Sequence, residues 1–112
     1  MQFEVFLHEE VEKFILSVPA KMQAKIHRSI NLLQEFGNDL RGPHSKKIIS
    51  TKNLYELRIK IGTNISRLFY FHLKEKTFVI TSGFIKKSDK TDKKEIIKAI
   101  KLMTKIEEDN NA

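Results

Sequence analysis

The chain has 112 residues, of which 40% are hydrophobic, and its formal net charge is +7. This length and the spread of aliphatic residues and eight Phe along the chain predict one folded domain, residues 1–112, and exclude global disorder. No cysteine is present, which excludes disulfide bonds, cysteine–metal sites and thiol catalysis.

The N-terminal residues predict a strand followed by a helix. Residues 3–7 (FEVFL) have a strand-like composition, and a helix is predicted to begin at residues 8–10 (HEE). The segment MQFEVFLHEE lacks the basic start and the long apolar core of a signal peptide. No apolar run in the sequence approaches the roughly 18 residues of a membrane span. We therefore expect a soluble, cytoplasmic protein without a membrane partner.

Two amphipathic helices are predicted next, because apolar residues recur at helical spacing. The first stripe consists of Val11, Phe14, Ile15 and Val18. Pro19 suits the first turn of a new helix and disfavours helical geometry in the residue before it. The second stripe consists of Met22, Ile26, Ile30 and Leu33. Gly37 is a plausible end, so the pattern predicts a helical hairpin whose other face carries Lys21, Lys25 and Arg28.

A loop and about four strands follow the hairpin. Residues 37–44 (GNDLRGPH) are rich in loop-forming residues, and a short strand is predicted over 46–49. Residues 54–71 predict two strands joined by a turn. Residues 77–85 (TFVITSGFI) are apolar almost throughout, which is typical of a strand that is covered on both faces.

The last predicted element is a helix. Residues 88–91 break the strand pattern, and Asp92 begins the helix with Glu95 placed as in a capping box. Its apolar stripe consists of Ile96, Ala99, Ile100, Met103 and Ile106. Helices and strands that are segregated in this way predict an α+β fold: a strand, a helical hairpin, an antiparallel meander of about four strands and a C-terminal helix.

Two arginines in the predicted strand pair depend on the register of the pairing. Residues 54–61 alternate strictly, so Arg58 points away from the apolar face. A four-residue turn at 61–64 places Arg67 opposite Arg58, whereas a three-residue turn would point Arg67 into the core. Burying an unpaired guanidinium costs several kcal/mol. We therefore expect the four-residue turn, which places four charged residues on one face: Glu56, Arg58, Lys60 and Arg67.

This face is predicted to bind an anion. Two arginines opposite each other repel, so the pairing contributes nothing to folding by itself. Arginine donates two parallel hydrogen bonds to phosphate oxygens and keeps its charge. The rim of the face is predicted to hold further lysines: Lys46, Lys47, Lys86 and Lys87. The alternative is a solvated outer face on which Glu56 pairs with Arg58 or Arg67. The net charge of +7 also favours a polyanionic partner, such as nucleic acid, an anionic membrane face or an acidic protein, and the alternative is that this charge serves solubility.

No metal or cofactor site is expected. The four histidines, His8, His27, His44 and His72, are scattered along the sequence. No group of acidic residues has the spacing of metal ligands.

Four short motifs together resemble one known family. They are residues 54–58 (LYELR), 67–71 (RLFYF), 84–87 (FIKK) and 95–99 (EIIKA). Their order and spacing resemble the RelE/ParE toxin superfamily, and the match is nearest to its HigB-like, phage-derived branch. The resemblance implies a RelE-like fold and the toxin of a type II toxin–antitoxin system. It also implies a ribosome-dependent mRNA endonuclease that inhibits translation, and an antitoxin partner with a helix-turn-helix domain.

The resemblance also implies roles for individual residues. Arg67 matches the strand arginine that stabilises the scissile phosphate in the RelE branch. Arg58 falls where that branch has a strand lysine, and Lys87, with Lys86 beside it, where it has an arginine after the last strand. Metal-free cleavage uses the substrate's own 2′-hydroxyl, and Glu56 is the nearest base for it.

Other assignments stay open. His44, beside Pro43 in the loop, is the alternative base, and it also belongs to an RNA-binding rim with Lys46, Lys47 and Lys60. Some RelE-branch enzymes stack a C-terminal aromatic on a base, but no aromatic follows Phe84 here. Phe69, Tyr70 or Phe71 would then stack on a base, or the ribosome would position the substrate. The alternative for Phe69 and Phe71 is packing under the last helix.

Two other functions fit the same fold. A ParE-type toxin would inhibit DNA gyrase through protein contacts and would have no nuclease activity. A non-catalytic module would bind RNA without cleaving it.

Overall fold

The order of helices and strands is the one that the sequence predicts. The computed structural model describes residues 2–49, 51–86 and 92–111. Its elements are β1 (Glu4–Leu7), α1 (Glu9–Ser17), α2 (Ala20–Phe36), a 3-10 turn (Gly37–Asp39), β2 (Ser45–Lys47), β3 (Leu54–Ile61), β4 (Asn64–Lys74), β5 (Thr77–Lys86) and α3 (Lys93–Asn111). The α+β class is therefore confirmed. Within the described ranges, no helix combines the length and the apolar character needed to cross a membrane.

The five strands form one sheet in the order β1-β5-β4-β3-β2. The strands β2 to β5 are an antiparallel meander, as predicted. The first strand, β1, lies at the edge of the sheet opposite β2 and pairs with β5 in parallel, so that Val5 lies beside Phe78. A parallel pair needs a long connection, and the two helices of the hairpin are part of it.

The helical hairpin covers one face of the sheet, which we call the hairpin face. The His8 side chain caps α1, since its Nδ1 accepts from the Glu10 N–H at 3.0 Å. Both predicted apolar stripes are used: Val11, Ile15 and Val18 of the first segment pack with Met22, Ile26, Ile30 and Leu33 of α2. They bury Leu57, Ile59, Leu68, Tyr70, Phe78 and Ile80 of the sheet. This burial is the main driving force for the fold.

The C-terminal helix α3 covers part of the opposite face, which we call the α3 face. Its start is capped by Asp92, whose Oδ1 accepts from the Lys94 N–H at 2.9 Å. The buried Ala99 and the half-buried Ile96, Ile100 and Met103 pack with Ile48, Leu54, Phe69 and Phe84. Phe69 is fully buried in this cluster, so its packing under the last helix is confirmed, and Phe71 is fully buried as well.

One ion pair links α3 to α1 at the edge of the sheet. Lys98 Nζ lies 2.8 Å from Glu10 Oε2. The hydrogen bond and the charge of Lys98 lower the pKa of Glu10 below its usual value, against a smaller effect of burial. Because both side chains are partly exposed, this pair contributes little to stability.

Replacing Gly37, the glycine that ends α2, is expected to cost more stability than replacing Gly62 in the turn between β3 and β4. Gly37 has a φ of 52°, and a Cβ at this position would overlap the Phe3 ring. Gly62 has a similar φ of 58°, but a Cβ there would meet no atom within 4 Å. We expect Gly62→Ala to cost about 1–2 kcal/mol through backbone strain and Gly37→Ala to cost about 1–3 kcal/mol more through overpacking. Urea unfolding of the two variants checks this, and equal losses would contradict the close packing at Gly37.

Candidate functional site

The predicted register of the β3–β4 hairpin is confirmed. Arg58 pairs directly with Arg67, Leu57 with Leu68, and Ile61 with Asn64 across the turn. The two arginines are therefore on the α3 face, and Leu57 and Leu68 are in the core below the hairpin. The four-residue turn, and not the three-residue turn, sets the direction of every side chain in these two strands.

The two arginines differ in exposure, and this corrects one expectation. Arg58 is exposed, as predicted, but Arg67 is only 3% exposed. The Arg67 guanidinium donates from Nη1 to Oε1 of Glu56, which is itself 1% exposed. The predicted anion-binding face therefore offers Arg58 to solvent, whereas Arg67 forms the pair with Glu56 that was the alternative. Arg67 avoids the cost of an unpaired buried charge because Glu56, two residues before Arg58, is buried with it.

The buried ion pair leaves two polar atoms unsatisfied. Within the described part of the chain, neither Glu56 Oε2 nor Arg67 Nε has a hydrogen-bond partner, although both are buried. An unpaired buried polar atom costs free energy, so such atoms call for an explanation. Glu56 also lines a small cavity of about 180 Å³ between the end of β2 and α3, together with Lys46, Lys47 and Ile96.

A larger groove lies at the edge of β3, and we call it the basic groove. The short β2 covers β3 only as far as Leu57, and the Arg58 N–H then donates to the His44 carbonyl at 3.0 Å. Beyond this point, α2 runs beside the edge of β3, and Lys25 Nζ donates to the Lys60 carbonyl. The groove between α2, the loop before β2 and the edge of β3 has a volume of about 500 Å³.

The lining of the basic groove carries positive charge. Its ionisable residues are Lys25, Arg28, His44, Arg58 and Lys60. None of the described residues that line it is an Asp or a Glu. Four permanent or near-permanent cations in one concave surface raise the local concentration of anions. The groove is therefore suited to an anionic ligand, and its two arginines can each donate two hydrogen bonds to phosphate oxygens.

The structure divides the predicted site residues among several places. Arg58, Lys60 and His44 line the basic groove, whereas Lys46, Lys47 and Glu56 line the small cavity. Lys86 ends β5 beside Ile65 of β4. Lys87 lies outside the described residues. The sequence predicts these residues on one face, whereas the structure places six of them at two neighbouring sites along β3 and Lys86 on β5.

Two residues of the groove were missed as site residues. The sequence places Lys25 and Arg28 on the polar face of α2, without a partner. In the sequence these two residues are visible only as part of a basic helix face, and such a face is most often a solvated surface. Only the position of α2 beside the free edge of β3 makes them part of a site.

The groove also offers a group for proton transfer. His44 is exposed at the end of the loop before β2, and an imidazole can take or give a proton at neutral pH. The described residues contain no group of three His, Asp or Glu that could hold a metal ion.

Comparisons with known proteins give a family and a fold. The sequence profile of the family described as "Phage derived protein Gp49-like (DUF891)" matches residues 13–104. No protein with curated annotation matches the chain significantly.

The structure is similar to several solved structures of RelE toxins. A double mutant of the E. coli toxin RelE in the free state is 16% identical, with a TM-score of 0.64 over 90% of this chain and 97% of that one. RelE from the archaeal RelE–RelB complex of Pyrococcus horikoshii OT3 is 24% identical, with a TM-score of 0.56 over 74% of this chain and 93% of that one. At these identities, the likeness shows the fold.

The unequal environments of the two arginines predict unequal effects on stability. Replacing Arg67 by Ala leaves the Glu56 carboxylate buried without its counter-charge, so we expect a loss of about 3–5 kcal/mol. Replacing Arg58 by Ala removes an exposed side chain, so we expect a change within about 0.5 kcal/mol. Urea unfolding of both variants is the measurement. A stable Arg67→Ala protein would show that the ion pair is not buried in solution.

Proposed function

We propose, from the premise that the chain belongs to the phage-derived Gp49-like family, that it is the toxin of a toxin–antitoxin system and acts by cleaving RNA. The RelE fold supports the first part of this proposal. The basic groove supports the second part, because a chain of phosphates is the ligand that its charge and shape fit best.

The observation that carries the proposal is the composition of the groove. Non-specific RNA binding requires cations that follow a phosphate backbone, and Lys25, Arg28, Arg58 and Lys60 provide them from two facing elements. An enzyme for an uncharged substrate would not need this arrangement. A gyrase inhibitor that acts through protein contacts would not need it either.

The cleavage that fits these residues uses the 2′-hydroxyl of the RNA as the nucleophile. Arg58 and Arg28 hold the scissile phosphate and stabilise the charge that develops on the phosphorane. His44 takes the proton of the 2′-hydroxyl while its oxygen bonds to phosphorus. The bond from phosphorus to the 5′ oxygen breaks, and the Lys60 ammonium gives that oxygen a proton. The products are a 2′,3′-cyclic phosphate and a 5′-hydroxyl.

His44 suits the role of base better than Glu56 does. One oxygen of the Glu56 carboxylate is occupied by Arg67, and the whole side chain is 1% exposed. A base must lie within hydrogen-bond reach of the proton that it removes. His44 lines the open groove, where a bound phosphate backbone can reach it, whereas Glu56 has almost no accessible surface. In this scheme Arg67 holds Glu56 in place, and Lys86 extends the basic rim beside Ile65, which lines the groove. The role that the family resemblance implies for Lys87 stays a prediction.

The partners of the chain follow from the same proposal. The resemblance to RelE toxins implies cleavage of mRNA on the ribosome, so we propose the ribosome and mRNA in the cytoplasm as its targets. Three of the similar RelE structures are complexes of toxin and antitoxin, so we also propose a cognate antitoxin. We propose that this antitoxin has a helix-turn-helix domain, as the family resemblance implies.

One observation favours a second candidate, a module that binds RNA without cleaving it. The arginine that the family resemblance assigns to phosphate stabilisation, Arg67, is occupied by Glu56. If phosphorane stabilisation required Arg67, the groove could bind RNA and still lack a catalytic constellation. Both candidates bind RNA in the same groove, but only the nuclease releases cleavage products.

Arg58 is predicted to be required for toxicity and for RNA binding. We expect Arg58→Ala to abolish growth arrest and to lower the salt dependence of RNA binding by about one counterion, with the fold intact. Lys74→Ala, an exposed cation at the far end of β4, is the matched control and should behave as the parent. Growth assays and binding at several salt concentrations are the measurements. Unchanged arrest by the Arg58 variant would place the site elsewhere.

His44 is predicted to act in cleavage and not in binding. We expect His44→Ala to lower the cleavage rate by about 10²–10⁴-fold while RNA affinity changes little, since the imidazole transfers a proton in the transition state. The rate is measured on ribosome-bound mRNA, and the 3′ ends are analysed for the cyclic phosphate. Binding without any product would favour the non-catalytic module. Gyrase inhibition with stable transcripts would favour a ParE-type toxin.

A further inference from the structure

The edge of β3 that borders the basic groove carries two backbone groups without a partner. In an antiparallel sheet, the N–H and the C=O of a residue point to the same side of its strand, and so do those of the residue two positions on. The Arg58 N–H donates to the His44 carbonyl at 3.0 Å, so the backbone groups of Arg58 and Lys60 point to the groove side of β3. Within the described part of the chain, neither the Arg58 carbonyl nor the Lys60 N–H has a hydrogen-bond partner.

This open edge results from the way the loop before β2 approaches the sheet. In a complete antiparallel pair, the His44 N–H would donate to the Arg58 carbonyl, but it donates instead to the Arg41 carbonyl at 3.0 Å. The Lys60 carbonyl is occupied, since it accepts from the Lys25 side chain of α2. One acceptor, at Arg58, and one donor, at Lys60, are therefore left side by side along the edge.

The basic groove gives a ligand access to these two groups. Arg58 and Lys60 are both exposed and both line the groove. Its volume of about 500 Å³ lies within the range of roughly 300–1,000 Å³ that is typical of small-molecule sites. Besides its cations, the groove has three apolar lining residues that are not fully buried, namely Leu32, Pro43 and Ile65. Covering them with a flat ligand gains free energy.

A nucleobase has the chemistry that these features require. The Watson–Crick edge of every RNA base presents a hydrogen-bond donor beside an acceptor. In adenine and cytosine they are the amino group and a ring nitrogen, and in guanine and uracil they are a ring N–H and a carbonyl. Such an edge can donate to the Arg58 carbonyl and accept from the Lys60 N–H at the same time. The flat faces of the base fit the apolar lining, and the cations of the groove fit its phosphate.

We propose that the open edge of β3 is a nucleobase site, in which the Arg58 carbonyl and the Lys60 N–H bind the Watson–Crick edge of an unpaired base; the proposal rests on the proposed action on RNA. In a duplex, the Watson–Crick edge is occupied by the paired base, so the site selects single-stranded RNA. Because all four bases offer the same pair of groups, the site does not distinguish among them. Phosphate contacts alone would not require an unpaired strand.

The first test is a titration of the intact, ¹⁵N-labelled protein with adenosine 5′-monophosphate. Two matched probes are N6,N6-dimethyladenosine 5′-monophosphate, which keeps the flat ring but has no amino donor, and ribose 5-phosphate, which has no base. We expect adenosine monophosphate to bind at least about tenfold more tightly than either probe. We also expect it to shift the Lys60 amide proton downfield and to slow its exchange with solvent. Equal affinities of the three probes, or an unchanged Lys60 amide, would overturn the proposal.

A pair of variants isolates the backbone donor. Lys60→Ala and Lys60→Pro both remove the ammonium group, but only proline removes the N–H. Since this N–H has no partner in the sheet, proline at this edge position leaves the β3–β4 ladder intact. We expect the Ala variant to keep the preference for adenosine monophosphate over its dimethyl analogue and the Pro variant to lose it. A folded Pro variant that keeps the preference would overturn the proposal. Thermal unfolding checks the fold, and if the Pro variant does not fold, the Lys60 amide signal of the parent decides.

The outcomes also separate this proposal from the proposed function. The titration needs no cleavage, so the base site can be found in a chain that proves to be no nuclease. Arg58→Ala removes the guanidinium but keeps the carbonyl, so this variant should lose phosphate affinity and still prefer adenosine monophosphate to its dimethyl analogue. If the parent cleaves RNA but binds a single strand and a duplex of the same sequence equally tightly, the nuclease stands and the base site falls.

Discussion

The register of the β3–β4 hairpin is the constraint on which the rest of the structure depends. Two residues, Gly62 and Thr63, join the strands between the paired Ile61 and Asn64. A slip by one residue would turn every side chain of β4 to the opposite face. In the observed register, Leu68 and Tyr70 complete the core under the helical hairpin, and Arg67 reaches Glu56 on the α3 face. The core and the ion pair therefore require the same pairing.

The ion pair gives the α3 face two parts with different properties. Near Phe69 and Phe84, α3 supplies an apolar cover, and the buried Glu56 and Arg67 neutralise each other. Towards Arg58 and Lys60, the strand is exposed and the positive charge is solvated. A cation beside a neutralised pair is repelled less than a cation beside a free arginine. Glu56 therefore permits Arg58 to lie directly opposite Arg67 at a tolerable cost.

Much of this arrangement could be predicted from the sequence, for identifiable reasons. Strict alternation in Leu54–Ile61 assigns Glu56 and Arg58 to one face, and the cost of burying Arg67 without a partner selects the register. The apolar stripes of α1 and α2 give the hairpin face. Alternation shows which face a residue occupies, but it does not show what covers that face. The burial of Arg67 depends on how far α3 reaches across the sheet, and no local pattern contains that distance.

The basic groove could not be predicted for a related reason. It exists because β2 is only three residues long and because α2 runs beside the edge that β2 leaves open. The sequence predicts this strand over 46–49, whereas β2 begins one residue earlier and ends two residues earlier, at Lys47. Ile49 therefore lies outside the sheet and is exposed. A strand that paired along all of β3 would have closed the edge and separated Lys25 from Lys60. The length of β2 therefore determines whether the positive charge of α2 and the arginine of β3 act on one ligand, and in this chain they face the same groove.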